Sequence, residues 1–77
     1  MKIQVLGSGC ARCKQLVANA EKAVAALGVA TPVEKVEDVR EIMKFGVMVT
    51  PALVVDGKVR ATGKVLTPEA VMQLLRS

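Results

Sequence analysis

Seventy-seven residues, 52% of them hydrophobic, are enough for one small core and too apolar for a disordered tail. The net charge of +4 is an ordinary solubility margin; the basic residues are scattered and Phe45 is the sole aromatic, so a nucleic-acid surface with stacking platforms is not expected. No run approaches the roughly 18 apolar residues of a membrane span, and the N-terminus shows no leader pattern; a single domain over residues 1–77, a cytoplasmic setting, no membrane contact and a monomeric state are the expectations.

Lys2 to Leu6 is short, apolar at Ile3, Val5 and Leu6, and ends at Gly7-Ser8-Gly9, which reads as a first strand followed by a turn. From Cys10 to Leu27 the apolar positions Cys13, Leu16, Val17, Ala20, Ala23, Val24 and Leu27 recur at helical spacing. Lys14, Gln15, Asn19, Glu21 and Lys22 fall mostly on the rest of the wheel, and Gly28 suits the C′ position. Thr31 to Glu37 alternates imperfectly, and Pro32 fits the opening of an edge strand. Asp38 then reads as an N-cap with Glu41 three residues on, Val39, Ile42 and Met43 as the buried side, and Gly46 as the stop.

Ala52-Leu53-Val54-Val55 and Lys58-Val59-Arg60-Ala61-Thr62 flank Asp56-Gly57, the pair that a two-residue hairpin favours because both central residues take positive φ. Thr67-Pro68-Glu69 opens a last helix whose inner stripe is Val71, Leu74 and Leu75. The order is therefore β-α-β-α-β-β-α. It predicts an α/β fold with a mixed four-stranded sheet flanked by three helices.

Both cysteines of the chain stand in Cys10-Ala11-Arg12-Cys13, at the strand-to-helix junction. A bridge across so small a loop would stabilise the fold little, so structural cross-linking is a poor reason for the pair. Packing as small apolar residues accounts for Cys13, which shares the face of Leu16, Val17 and Ala20, but not for Cys10. At the helix start, unpaired N–H groups and the dipole lower a thiol pKa below its ordinary value of about 8.5. Arg12 and Lys14 add positive charge of the same sense, although a solvated helix start explains them equally well. The thiolate is the nucleophile of disulfide exchange, which assigns attack to Cys10 and resolution to the shielded Cys13. Two thiolates also suit Cu(I), so a copper carrier is the rival reading. A zinc site would be half filled, since the chain has no histidine.

The order of elements separates the rivals. Heavy-metal-associated domains end on a strand and usually carry Met two residues before the first cysteine, where Ser8 stands here. The cysteine motif, followed about forty residues later by Val49-Thr50-Pro51-Ala52 just before a hairpin and a final helix, resembles the thioredoxin superfamily. The short length, with the run from Gly46 to Val59, is most similar to its small thioredoxin-like redox-active disulfide proteins.

The resemblance covers essentially the whole chain. It implies a protein disulfide reductase of the thioredoxin/glutaredoxin type, an electron carrier in cell redox homeostasis. Catalysis would rest on Cys10 and Cys13. A cis Pro51 would lie beside them, and Thr50 would pair through its backbone with an extended substrate segment. The implied partners are protein disulfides and a separate flavoprotein donor of the thioredoxin-reductase type. No cofactor is expected, since Gly7-Ser8-Gly9 lacks the third glycine of a dinucleotide fingerprint.

The chain departs from the thioredoxin pattern in three places. Gly9 replaces the usual Trp, Ala11-Arg12 replaces Gly-Pro, and Gln4 stands at the offset of a buried carboxylate and cannot act as a base. Gly63-Lys64 also lacks the Gly-Gly element with which glutaredoxins hold glutathione. A cationic Arg12 favours the thiolate, which predicts a potential less negative than the roughly −270 mV of thioredoxin.

Overall fold

A computed structural model describes residues 2–7, 11–28 and 31–76. Within them the chain forms β1 (Ile3–Leu6), α1 (Ala11–Leu27), β2 (Val33–Val36), α2 (Val39–Lys44), β3 (Ala52–Val55), β4 (Lys58–Thr62) and α3 (Pro68–Arg76). The strands make one mixed sheet in the order β2-β1-β3-β4. β1 runs parallel to β2 and antiparallel to β3, and β3 is antiparallel to β4. The order, the mixed sheet and the three helices are those predicted.

Strand alternation divides the interior into two clusters. Ile3, Val5, Leu53 and Val55 face α1 and α3, where they meet Leu16, Val17, Ala20, Ala23, Val24, Val71 and Leu75. Leu6, Ala52 and Val54 point the other way, toward Ile42 and Val47, with Val36 and Phe45 at the margin. β3 is buried along its whole length because both faces are covered, which is why it reads as a continuous apolar run. β2 and β4 are the edges. The extra residue that β4 carries between its pairings with Leu53 and Val54 breaks that edge's ladder and discourages pairing with another chain.

Local signals explain the ends of the elements. Asp56 and Gly57 have φ of 52° and 80°, as the two-residue hairpin requires. Asp56 also accepts from the Lys2 amide (2.8 Å) and donates its own N–H to the Lys2 carbonyl (2.7 Å), locking the hairpin tip to the start of β1. The Asp38 carboxylate caps α2 by accepting from the Arg40 amide at 2.8 Å. Glu41 pairs with Lys44 at 3.1 Å instead of closing a capping box. Thr67 Oγ1 accepts from the Ala70 amide at 3.2 Å at the start of α3.

Two expectations about packing are corrected. Of the proposed buried side of α2, only Ile42 is buried; Val39 and Met43 are 60% and 68% exposed. A helix of six residues covers the sheet with one side chain, and Val47 and Phe45 from the following segment complete that cluster. Asn19, assigned to the polar side of α1, is buried. The segment after β4 lies over α1, and Asn19 Nδ2 donates to the Leu66 carbonyl at 2.8 Å while its Oδ1 accepts from Gln15 at 3.1 Å. The buried amide thus has partners on both sides.

Candidate active site

The strand registers bring four loops to one end of the sheet. β1 and β2 finish there at Leu6 and Val36; β3 begins there at Ala52, opposite Leu6, and β4 ends there at Thr62, opposite Ala52. Gly7, Thr50–Pro51 and Gly63 follow or precede these residues directly, and the first turn of α1 meets them where Cys13 packs on Gly7. Cys10 lies outside the described residues, so the geometry is built from Cys13 outward.

Cys13 sits at the first turn of α1 and is buried with Leu16, Val17 and Ala20 on the face of the helix that packs inward. Its sulfur rests directly over Gly7. A Cβ on Gly7 would overlap Cys13 Sγ, would stand 2.9 Å from Cys13 Cβ, and would approach Thr50 Cβ at 3.9 Å. The Gly7 amide donates to the Val36 carbonyl at 2.9 Å, which fixes this floor to β2. The φ of Gly7 is not in the left-handed region, so space alone demands glycine here. Sequence reasoning took Gly7 as a turn residue; its role as the seat of the sulfur carries no sequence signal beyond its closeness to the cysteines.

The Thr50–Pro51 peptide is cis. Pro51 is fully buried and Thr50 half-buried. The Pro51 carbonyl accepts from the Gly63 amide at 2.8 Å, and the Gly63 carbonyl accepts from Arg12 Nη2 at 2.8 Å. Arg12, expected to tune a thiolate, therefore directs its guanidinium across the site to the loop after β4. Gly63 is constrained twice: its φ is +67°, and a Cβ there would lie 2.9 Å from Val49 Cγ1. Lys14 is exposed on α1. Gln4 is half-buried on β1, paired with Val54, on the face turned toward α2.

On the other side of Thr50 an apolar groove of about 370 Å³ is lined by Val39, Ile42, Met43, Val47, Met48 and Thr50. Met48 is 96% exposed, and Val49 beside it is 57% exposed. Exposed apolar side chains gathered in one place mark an interaction surface. These residues were missed as site residues because Val39 and Met43 fit the buried face of a helix; the shortness of α2, between Asp38 and Gly46, was the available signal.

The arrangement supplies a buried sulfur, a proline loop tied to α1 through Gly63 and Arg12, and an apolar rim. No helix among the described residues is long and apolar enough to cross a membrane.

A family model described as a thioredoxin domain matches residues 1–76. A protein named thioredoxin from Methanothermobacter thermautotrophicus is 39% identical over 75 residues, covering 97% of each chain. Another of that name from Methanocaldococcus jannaschii is 37% identical over 75 residues, covering 97% of this chain and 86% of its own.

Proposed function

Because the chain belongs to the thioredoxin superfamily, we propose that it is a thiol–disulfide oxidoreductase that reduces protein disulfides through Cys10 and Cys13. The observation that best supports this is the seating of the Cys13 sulfur on Gly7, beside Thr50 and the cis Thr50–Pro51 peptide. A shielded sulfur next to a half-buried backbone segment suits resolution of a mixed disulfide better than free access to reagents.

The Cys10 thiolate attacks one sulfur of a substrate disulfide. The S–S bond breaks, a Cys10–substrate disulfide forms, and the other substrate sulfur leaves as a thiolate that takes a proton from water. Cys13, having lost its proton, then attacks Cys10 Sγ. The second substrate thiolate departs, and the chain is left with a Cys10–Cys13 disulfide. Two electrons have passed to the substrate, and a dithiol donor of the flavoprotein reductase class returns them by the same exchange in reverse.

Thr50 presents backbone to an extended substrate segment, Pro51 shapes the wall beside it, and Lys14 contributes positive charge near the reacting thiolate. The groove of Val39, Met43 and Met48 receives an apolar side chain flanking the substrate cysteine. Methionine suits that task because its flexible thioether adapts to different partners.

Thiol titration tests the reading. The protein should change reversibly between two reactive thiols and none on treatment with dithiothreitol and then oxidised glutathione, without bound metal, and the reduced form should precipitate insulin by reducing its disulfides. Stoichiometric copper that shields both thiols from alkylation, with no insulin reduction, would replace it with the carrier reading.

A further inference from the structure

Arg12, Gln15 and Asn19 form a polar stripe on α1 at spacings of three and four. The two ends of that stripe hold the two ends of the segment after β4: Arg12 Nη2 binds the Gly63 carbonyl and Asn19 Nδ2 binds the Leu66 carbonyl, each at 2.8 Å. Gln15 braces Asn19 from between them at 3.1 Å. Gly63 in turn holds the Pro51 carbonyl through its own amide at 2.8 Å. A continuous chain of hydrogen bonds thus runs from the residue between the cysteines to the proline loop. Gly63 is its one link without a side chain, and its positive φ turns the chain at that point.

We propose that Arg12 is a positioning residue, which sets the distance between the Cys13 sulfur and the Thr50–Pro51 substrate wall by tethering Gly63. The inference rests on the proposed disulfide-reductase reading. Without the tether the near end of the loop keeps the Gly63–Pro51 bond but loses its tie to α1, while Asn19 still anchors its far end two helical turns away. The wall then drifts relative to the Cys13 sulfur. A substrate that lies along the wall loses affinity, whereas one that touches only the sulfur is affected less. A charge effect on the thiolate would instead slow both substrates alike, because it acts on the nucleophile itself.

Arg12→Leu separates these roles. With insulin as substrate KM should rise about five- to tenfold, the loss of one hydrogen bond of ordinary net strength. With the neutral bis(2-hydroxyethyl) disulfide the loss should be several-fold smaller, and the titration of the Cys10 thiol should keep its midpoint. Arg12→Lys, which retains a long donor, should recover most of the insulin KM. Backbone amide resonances of Thr50, Ala52 and Gly63 should shift in Arg12→Leu, and thermal unfolding will show whether the variant is folded. Equal losses with both substrates, a raised Cys10 midpoint, or unshifted loop amides would overturn the proposal. Should the wild-type protein reduce neither substrate, the functional reading fails by itself, and the loop amides still decide whether Arg12 holds the loop.

Discussion

The two flanks of the Thr50–Pro51 peptide are built in opposite ways. Toward α1 and β4 everything is fastened: Arg12 to Gly63, Gly63 to Pro51, Asn19 to Leu66, with Gly7 packed under Cys13. Toward α2 the surface is open and apolar, and Val39, Met43 and Met48 on it stand in solvent. The fastened flank is where geometry must not change during exchange of sulfurs, since a misplacement of about 1 Å costs a reaction heavily. On the proposed function, the open flank is the one that accommodates different partners presenting a disulfide. Precision and tolerance are thus separated by a single peptide.

The largest effect should come from undermining the foundation of the fastened flank. Leu53 is fully buried between β1, α1 and α3, and Leu53→Ala should cost about 2–5 kcal/mol of unfolding free energy in urea. Gly7→Ala forces a Cβ into the Cys13 sulfur, and overpacking of this kind should cost about 1–3 kcal/mol. Its effect on insulin reduction should exceed what the stability loss explains, because the sulfur itself is displaced. A variant with wild-type stability and activity would mean that the sulfur does not rest on Gly7. Asn19→Ala removes the far anchor together with the Gln15 bond and should lower stability by about 1–2 kcal/mol, the net worth of two hydrogen bonds. The open flank should respond differently. The double variant Met43→Ser, Met48→Ser should stay within about 0.5 kcal/mol of wild-type stability, as surface changes do. Its KM for insulin should rise more than its KM for bis(2-hydroxyethyl) disulfide; a uniform change would remove the groove from substrate recognition.

The fold was legible because its signals are local. Asp56-Gly57, Thr67-Pro68, Gly28 and Gly46 each demand a backbone conformation that does not depend on distant residues, and the period of α1 spans enough turns to be unambiguous. The site was legible in part. The inward position of Cys13 follows from helical spacing, since Leu16, Val17 and Ala20 define the face. The exposure of Val39 and Met43 was not legible, because periodicity reports a stripe and cannot report that a six-residue helix has only one place to bury it. The contacts of Asn19, Arg12 and Gly63 escaped for a different reason. Their partners lie 47 and 51 residues away along the chain, and such pairings exist only once the sheet has brought the loops together. Even so, the polar stripe of Arg12, Gln15 and Asn19 was present at helical spacing, although of the three only Asn19 is buried.

The central claim is that Cys10 attacks and Cys13 resolves. Cys13→Ser, expressed in cells and recovered under acid quench with the thiols alkylated, should carry proteins joined through Cys10, released by dithiothreitol and absent from a Cys10→Ser, Cys13→Ser control. Recovery of Cys13→Ser without any such adducts, while the wild-type protein reduces insulin, would contradict that division of roles.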